Sequence, residues 1–177
     1  MSGPAPRQVI VDTDPGIDDA MALAYLRASP RARLIALTTV FGNASIEVTT
    51  RNACWLARRL GIDAPVHRGA GGPLHRPRLP SPVHVHGNNG LGDIELAGEV
   101  PDAAPGTAHE AIIERVRAAP GEVSLLALGP LTNLALALRA APSIAGLVRE
   151  VVVMGGAFGW QGRRGNVSPV AEANVHN

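Results

Sequence analysis

Short aliphatic and β-branched runs alternate with longer stretches of helical periodicity along most of the chain, and this alternation constrains the fold more than any single motif. QVIVDT reads as a buried strand, and DDAMALAYLRAS carries apolar residues at helical spacing up to the stop at Pro30. RLIALTTV is the next strand, followed after FGNAS by the helix IEVTTRNACWLARRLG, whose Gly61 suits a C-cap. APVHRG reads as a short strand. AHEAIIERVRAA, VSLLALG, LTNLALALRAA and EVVVMGG then read as helix, strand, helix and strand. Such a succession predicts an α/β fold, with an open, mostly parallel sheet and helices on both faces. Between Gly69 and Pro105 the chain is rich in Gly, Pro and His without periodicity, which predicts a long surface excursion. A single domain over residues 1–177 is expected.

Composition narrows the partners. Hydrophobic residues make up 46% of the chain, enough for a real core, but aromatics only 3%, which suits small-residue packing of helices on a sheet and argues against base-stacking surfaces for nucleic acid. The sixteen basic residues, all arginine, nearly balance fifteen acidic ones, so a phosphate-backbone or membrane-surface partner is not expected. The single Cys54 cannot form an internal disulfide and reads as a small buried residue. MSGPAPRQ has no apolar targeting segment and no stretch approaches a membrane span, so a cytoplasmic protein is expected.

In open α/β sheets ligands gather at the carboxyl ends of the strands. Four polar clusters fall there: DTDPGIDD, FGN, GPLTN and MGGAFGW. The first is the most unusual, since Asp12, Asp14, Asp18 and Asp19 crowd four repelling carboxylates into eight positions. One of Asp18 and Asp19 would suffice as an ordinary helix N-cap. Asp12 reads as a strand-end residue that hydrogen-bonds the loop. Asp14, held extended by Pro15, and Asp19, one turn beyond Gly16, can converge on one point. Hard oxygen ligands converging without a Cys or paired-His motif suit Ca²⁺ or Mg²⁺ rather than zinc.

The segment VDTDPGIDDAMAL resembles the signature of the inosine-uridine preferring nucleoside hydrolase family, and TTVFGNASIEVTTRNA, HGNNGLGD, LGPLTNLALAL and VVVMGGAFGWQGRRGNVSPVAEANV follow in that family's order. The likeness runs from Val9 to Asn174. It implies a Rossmann-like core and a calcium-dependent hydrolase that splits ribonucleosides into ribose and free base, in nucleoside salvage. By the same resemblance Asp14 ligates Ca²⁺ and acts as general base, Asp19 ligates the ion, and Thr132 offers it a backbone carbonyl. Asp18 grips ribose hydroxyls; Asn43, Met154, Asn166, Glu172 and Asn174 line the ribose pocket; His86 belongs to a loop closing near the base. The family's members are commonly dimers or tetramers. They also continue past this point with a further calcium-ligating Asp and a His assisting base departure, so the chain is expected to be an incomplete hydrolase domain, and an inactive or weakly ligand-binding fragment is the alternative.

The chemistry suits these roles. Breaking the C1′–N bond builds oxocarbenium character on the sugar and needs water on the face opposite the leaving base, which predicts inversion. A metal-bound water with Asp14 as proton acceptor meets that need, while polar groups on the ribose supply orientation. Weaker signals compete. His84 and His86 alternate, which on an extended stretch places both on one side, yet no Cys or further His cluster accompanies them for zinc. His86 reads as a residue of a mobile substrate loop or as a plain solvated histidine. Phe158 and Trp160 could wall a base pocket or simply pack; Arg163 and Arg164 read as a solvated turn. DTD after a strand also resembles the nucleophile motif of Mg²⁺-dependent phosphatases, but that chemistry usually wants a Lys, and this chain has none.

Overall fold

A computed structural model describes residues 5–156 and 173–176. Six strands form one parallel sheet: β1 (Arg7–Thr13), β2 (Ala32–Thr39), β3 (Val66–Arg68), β4 (Ala104–Thr107), β5 (Val123–Ala127) and β6 (Glu150–Val153), in the order β4-β3-β2-β1-β5-β6. The helices are α1 (Ile17–Ala28), α2 (Ile46–Leu60), α3 (Val83–His86), α4 (Ala108–Ala118), α5 (Thr132–Ala140) and α6 (Ala173–His176), with a 3₁₀ turn at Pro142–Gly146.

The expected two-faced sheet is borne out by how β1 is buried. Val9 and Val11 pack with Leu23 of α1 and Ala53 and Leu56 of α2, whereas Ile10 packs on the opposite face with Ile112 and Val116 of α4 and Ala137 of α5. A strand covered on both sides needs no polar alternation, which is why VIV reads as an unbroken apolar run. Gly61 ends α2 as expected, at φ 64°, its N–H donating to the carbonyls of Ala57 and Arg58.

The excursion departs from the expectation in two places. Its composition conceals a four-residue helix, α3, begun at Pro82, and a four-residue strand, β4, whose Pro105 and Gly106 are tolerated because it is the last strand of the sheet on that side. The segment also reaches the core, since Leu91 is buried in the α1/α2 cluster with Leu96, Val100 and Ala103 against it. The helical turn of α3 also corrects the extended reading of His84 and His86. Two positions apart on a helix they diverge, leaving His86 buried and His84 exposed.

The sheet order fixes where a ligand can enter. From β1 the chain winds outward through β2, β3 and β4, then returns to place β5 on the other side of β1. The loops leaving β1 and β5 therefore diverge and open a crevice at the carboxyl edge, between Thr13 and Ala127.

Candidate active site

β1 delivers the acidic loop into this crevice. Asp12 and Thr13, its last residues, are wholly buried, and Asp14 and Asp19 nearly so. Asp19 sits in the first turn of α1 and does the work of a cap: its Oδ2 accepts the Gly16 N–H (3.1 Å), while its Oδ1 accepts from the Thr13 hydroxyl (2.5 Å). The expected N-cap role is thereby corrected: the N-cap is Gly16, and Asp19 stands at the third helical position, reaching back to the cap's N–H. That role leaves Asp14 unexplained.

Asp14 is held by the loop after β2. Its Oδ2 accepts the Asn43 N–H (2.8 Å), and the Asn43 side-chain amide donates both to the Asp14 carbonyl (3.1 Å) and to Asp19 Oδ2 (3.2 Å), so one asparagine ties the two carboxylates together. Two glycines make the approach possible. A Cβ on Gly42 would lie 2.0 Å from Asp14 Oδ2, and one on Gly129, in the loop after β5, would lie 2.7 Å from Oδ1. No described residue donates a hydrogen bond to Asp14 Oδ1, and no ion pair reaches Asp14 or Asp19 among the described residues.

Burial is therefore offset by neutral hydrogen bonds and by no ion pair among the described residues. Desolvation pushes the Asp14 carboxyl well above the usual carboxylate range, and the Asp19 charge pushes it further. Asp19 is raised too, by burial, against the lowering effect of Thr13 and Gly16. Beneath them Asp12, raised by burial to about 6, accepts from Thr38 Oγ1 (2.6 Å) and Asn133 Nδ2 (2.8 Å) on one oxygen, and its Oδ2 is buried without a partner. A group of buried carboxylates short of positive charge, offering hard oxygen and no sulfur, fits a hard dication such as Ca²⁺. Among the described residues no three His, Cys, Asp or Glu side chains are grouped to hold a metal ion, so they alone fall short of the six to eight oxygens that calcium takes.

A cavity of about 410 Å³ opens over Asp14, lined also by Asp18, Asn43, His86, Met154 and Asn174. These expected site residues are thus brought to one place. Asp18 is exposed on α1, with its Oδ1 3.9 Å from His86 Nδ1. That nitrogen accepts the Ile17 N–H (3.3 Å), a contact that in the neutral ring assigns the proton to Nε2. His86 is buried, which corrects the solvated reading; in the chain after α3, Asp93 Oδ1 accepts the N–H groups of Asn88 and Asn89, and Asn89 Oδ1 accepts those of Leu91 and Asp93. Asn174 donates its amide to the carbonyls of Leu128 (2.6 Å) and Met154 (2.9 Å), which docks α6 across the ends of β5 and β6. Thr132 is buried at the start of α5, outside the lining of this cavity. Asn166, Glu172, Phe158, Trp160, Arg163 and Arg164 lie outside the described residues.

Three contributors escaped the sequence reading. Asn133 is wholly buried and joins three strand ends, donating to Asp12 and to the Thr39 carbonyl (2.8 Å) and accepting from the Ala70 N–H (2.9 Å). Asn52 sits on the buried face of α2. Arg78 lines the cavity, its Nη2 donating to Ser81 and to the Gly42 carbonyl (3.5 Å). A side-chain amide on the core-facing side of a helix, as at Asn52, is the signal that could have exposed the first two.

Comparison with known proteins agrees with this geometry. The family model described as inosine-uridine preferring nucleoside hydrolase matches residues 9–177. The chain is 46% identical over 172 residues to uridine nucleosidase 1 of Arabidopsis thaliana, covering 96% of itself and 50% of that protein. It is 42% identical to the non-specific ribonucleoside hydrolase RihC of Salmonella enteritidis, covering 94% of itself and 53% of that protein. Among solved structures, a plant nucleoside hydrolase, PpNRh1, superposes with a TM-score of 0.84 at 42% identity, and a purine-preferring ribonucleoside hydrolase from Gardnerella vaginalis with 0.89 at 32%. The chain covers 96% of itself in both, and 53% and 54% of those chains. It spans about half the length of the curated relatives it matches. No helix among the described residues is long and apolar enough to cross a membrane. With its acidic loop, strand order and sequence in accord, the chain belongs to the inosine-uridine preferring nucleoside hydrolase family.

Proposed function

We propose that the protein hydrolyses the N-glycosidic bond of ribonucleosides, with the sugar held over the acidic loop and Asp14 as general base. The observation that carries this reading is the Asp14–Asp19 pair: two buried carboxylates, tied together by Asn43 and without an ion-pair partner among the described residues, with Asp14 lining a cavity placed at the reversal of strand order. Asp14 and Asp19 would hold Ca²⁺, with the Thr132 carbonyl as a further ligand. When bound, the ion supplies Lewis-acid polarisation of a water. Asp14, oriented through Oδ2 by the Asn43 N–H, keeps Oδ1 for the proton that the attacking water gives up. Asp18 and Asn43, which line the cavity, suit ribose hydroxyls, and binding them orients the anomeric carbon. Attack from the Asp14 side with the base leaving outward gives inversion. The ribose pocket would be completed by Met154, Asn174, Asn166 and Glu172, and His86, buried beside Asp18, would face the base side. The named relatives include both uridine- and purine-preferring enzymes, so the proposal concerns the ribosyl half common to both. The choice of calcium over another hard dication and assembly into a dimer or tetramer enter on the strength of the resemblance, and cytoplasmic residence on the composition of the sequence.

A second reading is a fragment that binds ribose or calcium weakly without turnover, favoured by the lack of a third grouped side-chain ligand among the described residues. Release of free ribose from inosine and uridine separates the two. Calcium-dependent release, abolished by chelator and by Asp14→Asn, is the expected result. Folded protein that releases none at high concentration with calcium present refutes the hydrolase reading and leaves the fragment.

A further inference from the structure

The acidic loop and the His86 loop come from distant parts of the chain, yet each is held by the same side chain. We infer that Asn52 is a positioning residue that locks these two loops into one unit, setting where the Asp14–Asp19 carboxylates stand relative to His86. Its functional part rests on the hydrolase reading; its structural part does not.

Asn52 is wholly buried on α2, beside Ala53 of the apolar cluster. Its Nδ2 donates to the Pro15 carbonyl (3.3 Å), inside the acidic loop, and to the Asn89 carbonyl (2.9 Å), inside the loop after His86. Its Oδ1 accepts from Arg51 Nη2 (3.1 Å), which also donates to the Asn89 carbonyl (3.3 Å). Because both loop acceptors are carbonyl oxygens, only the NH₂ end can face them, and the amide orientation is fixed. An apolar residue of the same size would pack as well on α2 and leave two carbonyls of two different loops without this donor.

The fit is close on both sides. A Cβ on Gly90, at φ 80°, would lie 2.9 Å from Asn52 Nδ2 and 3.4 Å from the Pro15 carbonyl. At Gly16, next along from Pro15, a Cβ would lie 2.6 Å from Asn43 Nδ2 and 2.7 Å from His86 Nδ1. A shift of either loop against the other thus breaks the Ile17 N–H bond to His86 Nδ1, and that bond keeps the ring proton on Nε2. The imidazole tautomer therefore reports the lock without any turnover.

Three variants of the full chain test the inference: Asn52→Asp, which keeps shape and removes the donor; Asn52→Leu; and Gly90→Ala, which displaces the amide without touching α2. The expected result is a folded protein in which His86 loses its single Nε2–H tautomer by ¹⁵N NMR, and in which kcat falls about tenfold to a hundredfold with a smaller change in KM. A residue that merely stabilised the fold would lower Tm and leave the tautomer and the activity per folded molecule intact. Folded variants with the wild-type tautomer overturn the inference. Native-state hydrogen exchange on the unaltered chain gives a check that needs no variant. The Ile17 and Leu91 amides should open together with one free energy, and independent opening overturns the inference even if every variant fails to fold. If the unaltered chain releases no ribose, the hydrolase reading falls, while the tautomer and exchange results still decide the role of Asn52.

Discussion

Replacing Asp12 by Asn should change the pH dependence of stability by a predictable amount. The carboxyl is fully buried and raised from 3.8 to about 6, chiefly by desolvation and against the hydrogen bonds from Thr38 and Asn133. The folded state therefore binds this proton more tightly than the unfolded chain does, and stability falls as pH rises from the lower value to the higher. The penalty is absent below pH 3.8 and complete above about pH 6. It amounts to about 3 kcal/mol in full and roughly 2 kcal/mol between pH 4 and 7.5. Asn keeps an oxygen for Thr38 and Asn133 and carries no charge at any pH, but it puts an NH₂ group where Oδ2 is buried without a partner. That misplaced donor costs about 1–3 kcal/mol at every pH. Urea unfolding at pH 4, 5, 6 and 7.5, in chelator so that metal linkage is removed, should find the variant weaker than the parent at pH 4, with the gap closing by roughly 2 kcal/mol at pH 7.5. A gap that stays constant would show that the folded protein binds this proton no more tightly than the unfolded chain, and one that widens with pH that a partner favours the charged form; either result means that burial of Asp12 is relieved, and the electrostatic account of the site would fail with it.

Gly42→Ala should act on the site rather than on the fold. Its Cβ would stand 2.0 Å from Asp14 Oδ2, so the carboxylate must leave the Asn43 N–H; ribose release should fall about a hundredfold and calcium uptake by calorimetry should weaken, and normal values for both would refute the close-approach argument. Gly61→Ala is the contrasting case, since nothing lies within 4 Å of its Cβ and only the φ of 64° is strained: it should cost about 1 kcal/mol of stability and leave activity per folded molecule unchanged. Cys54, 4% exposed and pushed up by burial and then by the Asp102 charge, should react with thiol reagents only as fast as the protein opens.

The sheet was legible because β1, β2 and β5 are covered on both faces and so appear as plain apolar runs between amphipathic helices. β4 was not, since its pairing rests on APGT, a sequence that offers turn residues and no β-branched side chain until Thr107. α3 escaped for a similar reason: four residues after Pro82 are too few to show a helical period, and the His alternation suggested the wrong one. In the site, the acidic loop announced itself through local repulsion, which a reader of one segment can see. Asn133 and Asn52 could not be seen that way, because each acts by joining segments distant in sequence.

Asn133 and Asn43 bear on why the charge survives in the fold at all. Three buried carboxylates placed within one loop and its strand end would ordinarily be replaced by neutral residues at no loss to the core. Here the layer under the cavity is built around them instead: Thr13 and Gly16 on Asp19, Asn43 on Asp14, Thr38 and Asn133 on Asp12. Every one of these partners is a neutral donor. Hydrogen bonding of this kind orients a carboxylate and softens its desolvation, while leaving the negative charge available to whatever enters the cavity. Had stability alone been at stake, an arginine from the sixteen in the chain could have served at Asp14, and none does so among the described residues. On the proposed reading, these carboxylates are held in shape by amides and hydroxyls to meet a cation and a developing positive charge on a sugar.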